Sequence, residues 1–196
     1  MDASAGGGFD VCGYESIGPA FAWNATAQTG TNPDENMGGA LRIHPGGGLL
    51  PTATVLCGYF YGNEASEGGA IYASGDTELT VGIEGASSGG YFVDNAANSA
   101  GGAIRTAGGA LKVFSSRFEG NVSIDSTGGG GAIYGEGLVD ATDSSFVGNG
   151  TGAFGGAIVA LNYATLTRSL FSDNESGQHG GARPVADERG IRRVHE

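Results

Sequence analysis

Apolar and polar residues alternate in short runs along this chain. Leu79-Thr-Val-Gly-Ile83, Ala110-Leu-Lys-Val-Phe114 and Ala164-Thr-Leu-Thr-Arg168 each repeat with period two, the signature of a strand with one buried face. Helix signals are poor, because glycine interrupts nearly every window. The pattern predicts an all-β protein made of short strands.

A longer repeat lies over this alternation. An aromatic residue, two further residues and an asparagine recur as Phe21–Asn24, Phe60–Asn63, Phe92–Asn95, Phe118–Asn121, Phe146–Asn149 and Phe171–Asn174. Each is followed by Gly-Gly-Ala, usually with Ile or Leu next. The glycine pairs are Gly38-Gly39, Gly68-Gly69 before Ile71, Gly101-Gly102 before Ile104, Gly130-Gly131 before Ile133, Gly155-Gly156 before Ile158, and Gly180-Gly181. The last copy breaks off into Arg183-Pro184, and an extra Gly-Gly-Ala-Leu stands at Gly108–Leu111. From the alanine to the next asparagine the last three copies take 18, 17 and 17 residues, and the earlier ones 23 and 25. The best-behaved copy, Asn149 to Asn174, spans 25 residues.

One such copy cannot bury its own apolar face, whereas stacked copies pair equivalent strands above and below. The expected architecture is a right-handed parallel β-helix of about six coils, a pectate-lyase-like solenoid with three short strands per coil. At ~4.8 Å between paired strands its rod is on the order of 30 Å long. The phenylalanines are expected to stack in an interior column. The asparagines are expected to form a ladder at a bend, since Asn tolerates left-handed backbone and bonds nearby amides. The paired glycines are expected at a sharp corner. Residues 1–20 form an N-terminal cap or partial coil, with Phe9, Val11 and Tyr14 as covering residues. Residues 21–182 are the β-helix repeats, and residues 183–196 a tail or short helical cap. Connections 25–37 and 42–56 are expected to be long loops.

The alternation of Gly-Gly-Ala-Ile with Phe-x-x-Asn resembles the repeat of chlamydial polymorphic outer membrane proteins. It covers roughly residues 21–182, and six alternating pairs in constant order are specific for the repeat type. The resemblance implies the passenger of an autotransporter: a secreted β-helix on the cell outer membrane surface, adhesin-like, binding a host-cell receptor or glycan. The repeat-motif residues named above would be its structural or adhesion positions.

Composition narrows the chemistry. The 196 residues include 40 glycines and only 5 prolines, and no glycine falls at every third position, which excludes collagen. A net charge of −12 makes nucleic acid a poor partner. No segment approaches the ~20 apolar residues of a membrane span. No basic start with an apolar run marks a signal peptide, so the chain reads as cytoplasmic or as a piece of a longer secreted protein. Cys12 and Cys57 lie out of repeat register, which favours two small buried residues over a disulfide.

The alternative is a carbohydrate-active β-helix enzyme, a polysaccharide lyase or hydrolase, or another glycan-binding β-helix. It needs clustered carboxylates with an Arg or Lys, and no such constellation recurs. No catalytic residue, cofactor or metal site is expected. Gln178-His179-Gly180 reads as a turn and His44 as a loop residue. Acids near the motif (Glu64, Glu67, Asp94, Glu119, Asp125, Asp173, Glu175) could line one edge of the rod. The sequons at Asn24, Asn121, Asn149 and Asn174 read as by-products of ladder asparagines. Thr-x-Thr pairs do not recur in every coil, which argues against an ice-binding face.

Overall fold

The structure is a computed structural model. It describes residues 37–44 and 52–177, together with the backbone of strands Asp2–Ser4, Ala20–Ala22, Val185–Ala186 and Arg192–Arg193. The described residues contain no helix. Parallel strands stack into a β-solenoid of about five turns.

Each full turn carries four strands rather than three, and equivalent strands form four parallel sheets. The first sheet begins each coil after Gly-Gly-Ala and runs through Leu41–His44, Ile71–Ala73, Ile104–Thr106, Ile133–Gly135 and Ile158–Ala160. The second runs through Thr52–Val55, Glu78–Val81, Leu111–Phe114, Val139–Thr142 and Ala164–Thr167. The third holds the phenylalanines: Ala20–Ala22, Gly58–Tyr61, Gly90–Val93, Arg117–Glu119, Ser145–Val147 and Leu170–Ser172. The fourth follows the asparagines: Glu64–Glu67, Ala96–Ala100, Val122–Ser123, Gly150–Thr151 and Glu175–Ser176. This fourth sheet is the one the spacing hides. Its strands shorten to two residues in the later coils, too few to show a period, yet they pair because the coils on either side hold them in register.

The period-two runs bury one face. In the second sheet Leu79, Leu111 and Val139 share one register column and Val81, Val113 and Ala141 the next, all fully buried. Ile71, Ile104 and Ile133 form the matching column of the first sheet. The extra Gly108–Leu111 motif is explained by this geometry. It is the turn into a second-sheet strand, not the start of a coil. The interval 42–56 likewise contains strands of the first and second sheets instead of one long loop. Of the expected loop 25–37 all but Met37 lies outside the described residues, as do Phe9, Val11 and Tyr14. In the tail, Val185–Ala186 pairs antiparallel with Arg192–Arg193, so the described part of that segment is a strand pair and not a helical cap.

Candidate functional site

The motif residues converge on the interior and the corners of the rod. Phe60, Phe92, Phe118 and Phe146 are fully buried and occupy one register column, which Phe171 closes and Phe21 continues at the other end. Successive rings from Phe60 to Phe171 are nearly parallel, with centroids 4.7, 4.7, 4.9 and 4.8 Å apart. That spacing is the strand separation itself, so identical side chains in register have no other place to go.

The asparagines stand beside this column. Asn95 donates from its backbone N–H and from Nδ2 to Asn121 Oδ1 at 3.1 and 2.9 Å. Asn121 does the same to Asn149 Oδ1 at 3.1 and 2.9 Å, and Asn149 to Asn174 Oδ1 at 3.0 and 2.9 Å. The second Nδ2 hydrogen reaches back to the preceding coil, from Asn121 to Phe92 O at 2.9 Å and from Asn149 to Phe118 O at 3.1 Å. Asn63 donates in the same way to Asn95 Oδ1, at 3.0 and 2.8 Å. Asn63, Asn95, Asn121 and Asn149 are fully buried, each amide answering polar groups that burial would otherwise leave stranded. Asn24 lies outside the described residues. Asn121 and Asn149 have no exposed surface for glycosylation.

The left-handed turn belongs to the residue before the asparagine, not to the asparagine. Gly62, Asp94, Gly120, Gly148 and Asp173 all have φ between 51° and 64°. Glycine carries that conformation without strain, and Asp is among the few other residues that adopt it readily. The two glycines of Gly-Gly-Ala have separate tasks. The first is left-handed at Gly38, Gly68, Gly101, Gly130 and Gly155. The second leaves no room for a side chain: a Cβ on Gly102 would sit 2.0 Å from Gly131 O. Gly180 and Gly181 lie outside the described residues.

Two further features escaped the sequence pattern. Ser116, Ser144 and Ser169, each two residues before a motif phenylalanine, form a second ladder. Ser116 N–H donates to Ser144 Oγ and Ser144 N–H to Ser169 Oγ, both at 3.2 Å. The signal was there, since Ser precedes the phenylalanine at that distance in three copies. Arg105, nearly buried on the outer face of the first sheet, spans neighbouring coils. Its Nη2 lies 2.7 Å from Glu136 and its Nε 3.3 Å from Glu67, and its guanidinium sits 4.5 Å from the Tyr134 ring centroid.

The acids do not form the edge that stacking could have made. Glu64 and Glu175 share a column, but Ala96, Val122 and Gly150 separate them. Glu67 turns to Arg105, Glu119 pairs with Arg117 at 2.7 Å, and Asp143 holds Arg168 through both carboxylate oxygens at 2.6 Å. That guanidinium draws the Asp143 carboxyl below its ordinary pKa. Among the described residues no group of three or more His, Cys, Asp or Glu is placed to hold a metal ion. Among them there is no helix long and apolar enough to cross a membrane, which says nothing of a β-barrel. The threonine column Thr54–Thr80 is interrupted by Lys112 and Asp140 before Thr165. The side chain of His44, and His179, lie outside the described residues.

Cys57 is disulfide-bonded, whereas repeat register favoured a small buried residue there over a disulfide. The sequence has one other cysteine, Cys12, which lies outside the described residues. Cys57 stands at the corner between Thr52–Val55 and Gly58–Tyr61.

No similar curated protein and no similar solved structure is found. A family model describing the Chlamydia polymorphic membrane protein repeat matches at residues 58–74 and 115–136. Both matches combine third-sheet phenylalanine, ladder asparagine and Gly-Gly-Ala-Ile, wholly or in large part, in the order that the coils require. At these two places the solenoid carries the repeat of the Chlamydia polymorphic membrane proteins.

Proposed function

We propose that this chain is a non-enzymatic display rod: an extracellular, adhesin-like β-helix that forms part of a longer secreted or autotransporter protein at the cell outer membrane surface. The observation that carries this reading is the division of labour between inside and outside. Motif residues are spent on the core, the ladder and the corners, whereas outward positions change from coil to coil, as in Tyr59, Tyr91, Arg117, Ser145 and Leu170 along one column. A fixed interior with a free exterior suits presentation of contact side chains on a rigid scaffold. The disulfide at Cys57 fits an oxidising, extracytoplasmic setting.

The test is a host-cell binding assay with the purified chain, run beside thermal melts of Phe146→Ala and Asn149→Ala. Saturable attachment that declines in step with folding supports the reading. Loss of attachment at an unchanged melting temperature would make the motif itself a contact surface. Absence of attachment, with turnover on polygalacturonate, would favour the enzyme.

A further inference from the structure

The outer face of the third sheet differs from the others. Tyr59 and Tyr91 are register partners on adjacent strands, and Arg117 is the next residue in the same outward column. Tyr61, two residues from Tyr59, faces the same side, and their rings lie 6.0 Å apart at 21°. Tyr91 is 43% exposed although its neighbours in sequence, Gly90 and Phe92, are buried. Arg117 and Glu119 complete the stripe as a mutually neutralised pair at 2.7 Å, both side chains close to half exposed. Aromatic rings on a sheet face, followed by a charge-neutral cluster of donors and acceptors, make an unusual surface on a chain of net charge −12.

We propose that this stripe binds a neutral, extended, β-linked glycan lying along the rod axis. Pyranose rings carry apolar C–H faces that pack on tyrosine, and their hydroxyls take hydrogen bonds from a guanidinium and give them to a carboxylate. The coils advance by 4.7 to 4.9 Å, as the ring centroids show. That advance is close to the rise per sugar of an extended β-linked chain, so successive sugars meet successive coils. Charge selects among glycans: Arg117 is already paired, and the acidity of the chain repels polyanions. This inference rests on the display reading and names the ligand class for one face of it.

The experiment is titration of the full chain, followed by tyrosine fluorescence and calorimetry, with cellohexaose, N-acetylchitohexaose, maltohexaose and oligogalacturonate. Saturable binding of at least one neutral β-linked probe is expected, at least tenfold tighter than maltohexaose or oligogalacturonate. Tyr91→Ala and Tyr59→Ala should weaken it tenfold or more. Tyr163→Ala, on a tyrosine 61% exposed in the last turn, should leave it unchanged. Thermal melts accompany each variant, and the outward Tyr91 is expected to leave the melting temperature in place. Binding of none of the probes, or equal loss in Tyr163→Ala, overturns the proposal. Attachment to host cells that survives Tyr91→Ala also overturns it and leaves the display reading standing.

Discussion

Removing one rung of the asparagine ladder tests whether these amides hold the corners together. In Asn149→Ala the buried Oδ1 that accepts from Asn121 N–H and Asn121 Nδ2 disappears, and so do the donations to Asn174 Oδ1 and Phe118 O. Asn174 Oδ1 keeps the Asn149 backbone N–H, so it is not orphaned. The severe loss falls on Asn121, where a backbone N–H and one amide hydrogen are stranded in a fully buried site. At about 1–3 kcal/mol for each buried group left unsatisfied, the cost lies between about 2 and 6 kcal/mol. The Asn149 amide no longer has to be desolvated, which brings the expectation to about 3 kcal/mol. Urea unfolding followed by far-UV circular dichroism measures it. Asn174→Ala, at a half-buried rung, should cost less than half as much. Asn149→Asp adds a pH signature. The introduced carboxyl, buried against Phe118 O and Asn174 Oδ1, has a folded-state pKa above its unfolded value. The folded state then binds more protons, so this variant loses stability relative to the parent as pH rises from the unfolded to the folded pKa. A loss below about 1 kcal/mol in Asn149→Ala, or equal losses at Asn149 and Asn174, would refute the ladder as a stabilising element.

Other perturbations separate the remaining roles. Phe146→Ala should cost about 3–5 kcal/mol by opening a core cavity, and Phe171→Ala, partly exposed, clearly less in the same titration. Thr106 Oγ1 is buried without a hydrogen-bond partner among the described residues. Thr106→Val should therefore raise stability by about 1 kcal/mol, read as a higher urea midpoint. Gly102→Ala forces a Cβ to 2.0 Å from Gly131 O and should prevent folding. Gly148→Asn, left-handed but with nothing within 4 Å, should give soluble, folded protein. Reduction of the Cys57 disulfide by dithiothreitol should lower the melting temperature, by about 2–4 kcal/mol of stability.

The interior of this fold was readable because its interactions repeat with the sequence. Phe118, Phe146 and Phe171 recur at coil spacing and stack at coil spacing. The asparagines and glycine pairs mark corners for the same reason. What lay hidden depends on short segments or on partners in other coils. Gly150–Thr151 is too brief to show alternation. The left-handed backbone of Asp94 shows only in the column it shares with Gly62 and Gly120. Arg105 looks like an isolated base, and only stacking brings Glu67 and Glu136 to it. The outer tyrosines of the third sheet were equally invisible, because Tyr59 and Tyr91 become neighbours only when the coils are laid on each other.

The uniform register of the coils has a genetic consequence. From Asn121 to Asn149 is 28 residues and from Asn149 to Asn174 is 25, and each interval runs from one rung of the ladder to the next. Misaligned recombination between two copies in the gene would delete or duplicate one whole turn in frame. The new junction would meet a phenylalanine, an asparagine and a glycine pair where the old one had them. Gene products of different rod length can therefore arise in single steps without passing through an unfoldable intermediate. Each step also adds or removes one row of outward residues, so length and surface vary together under selection.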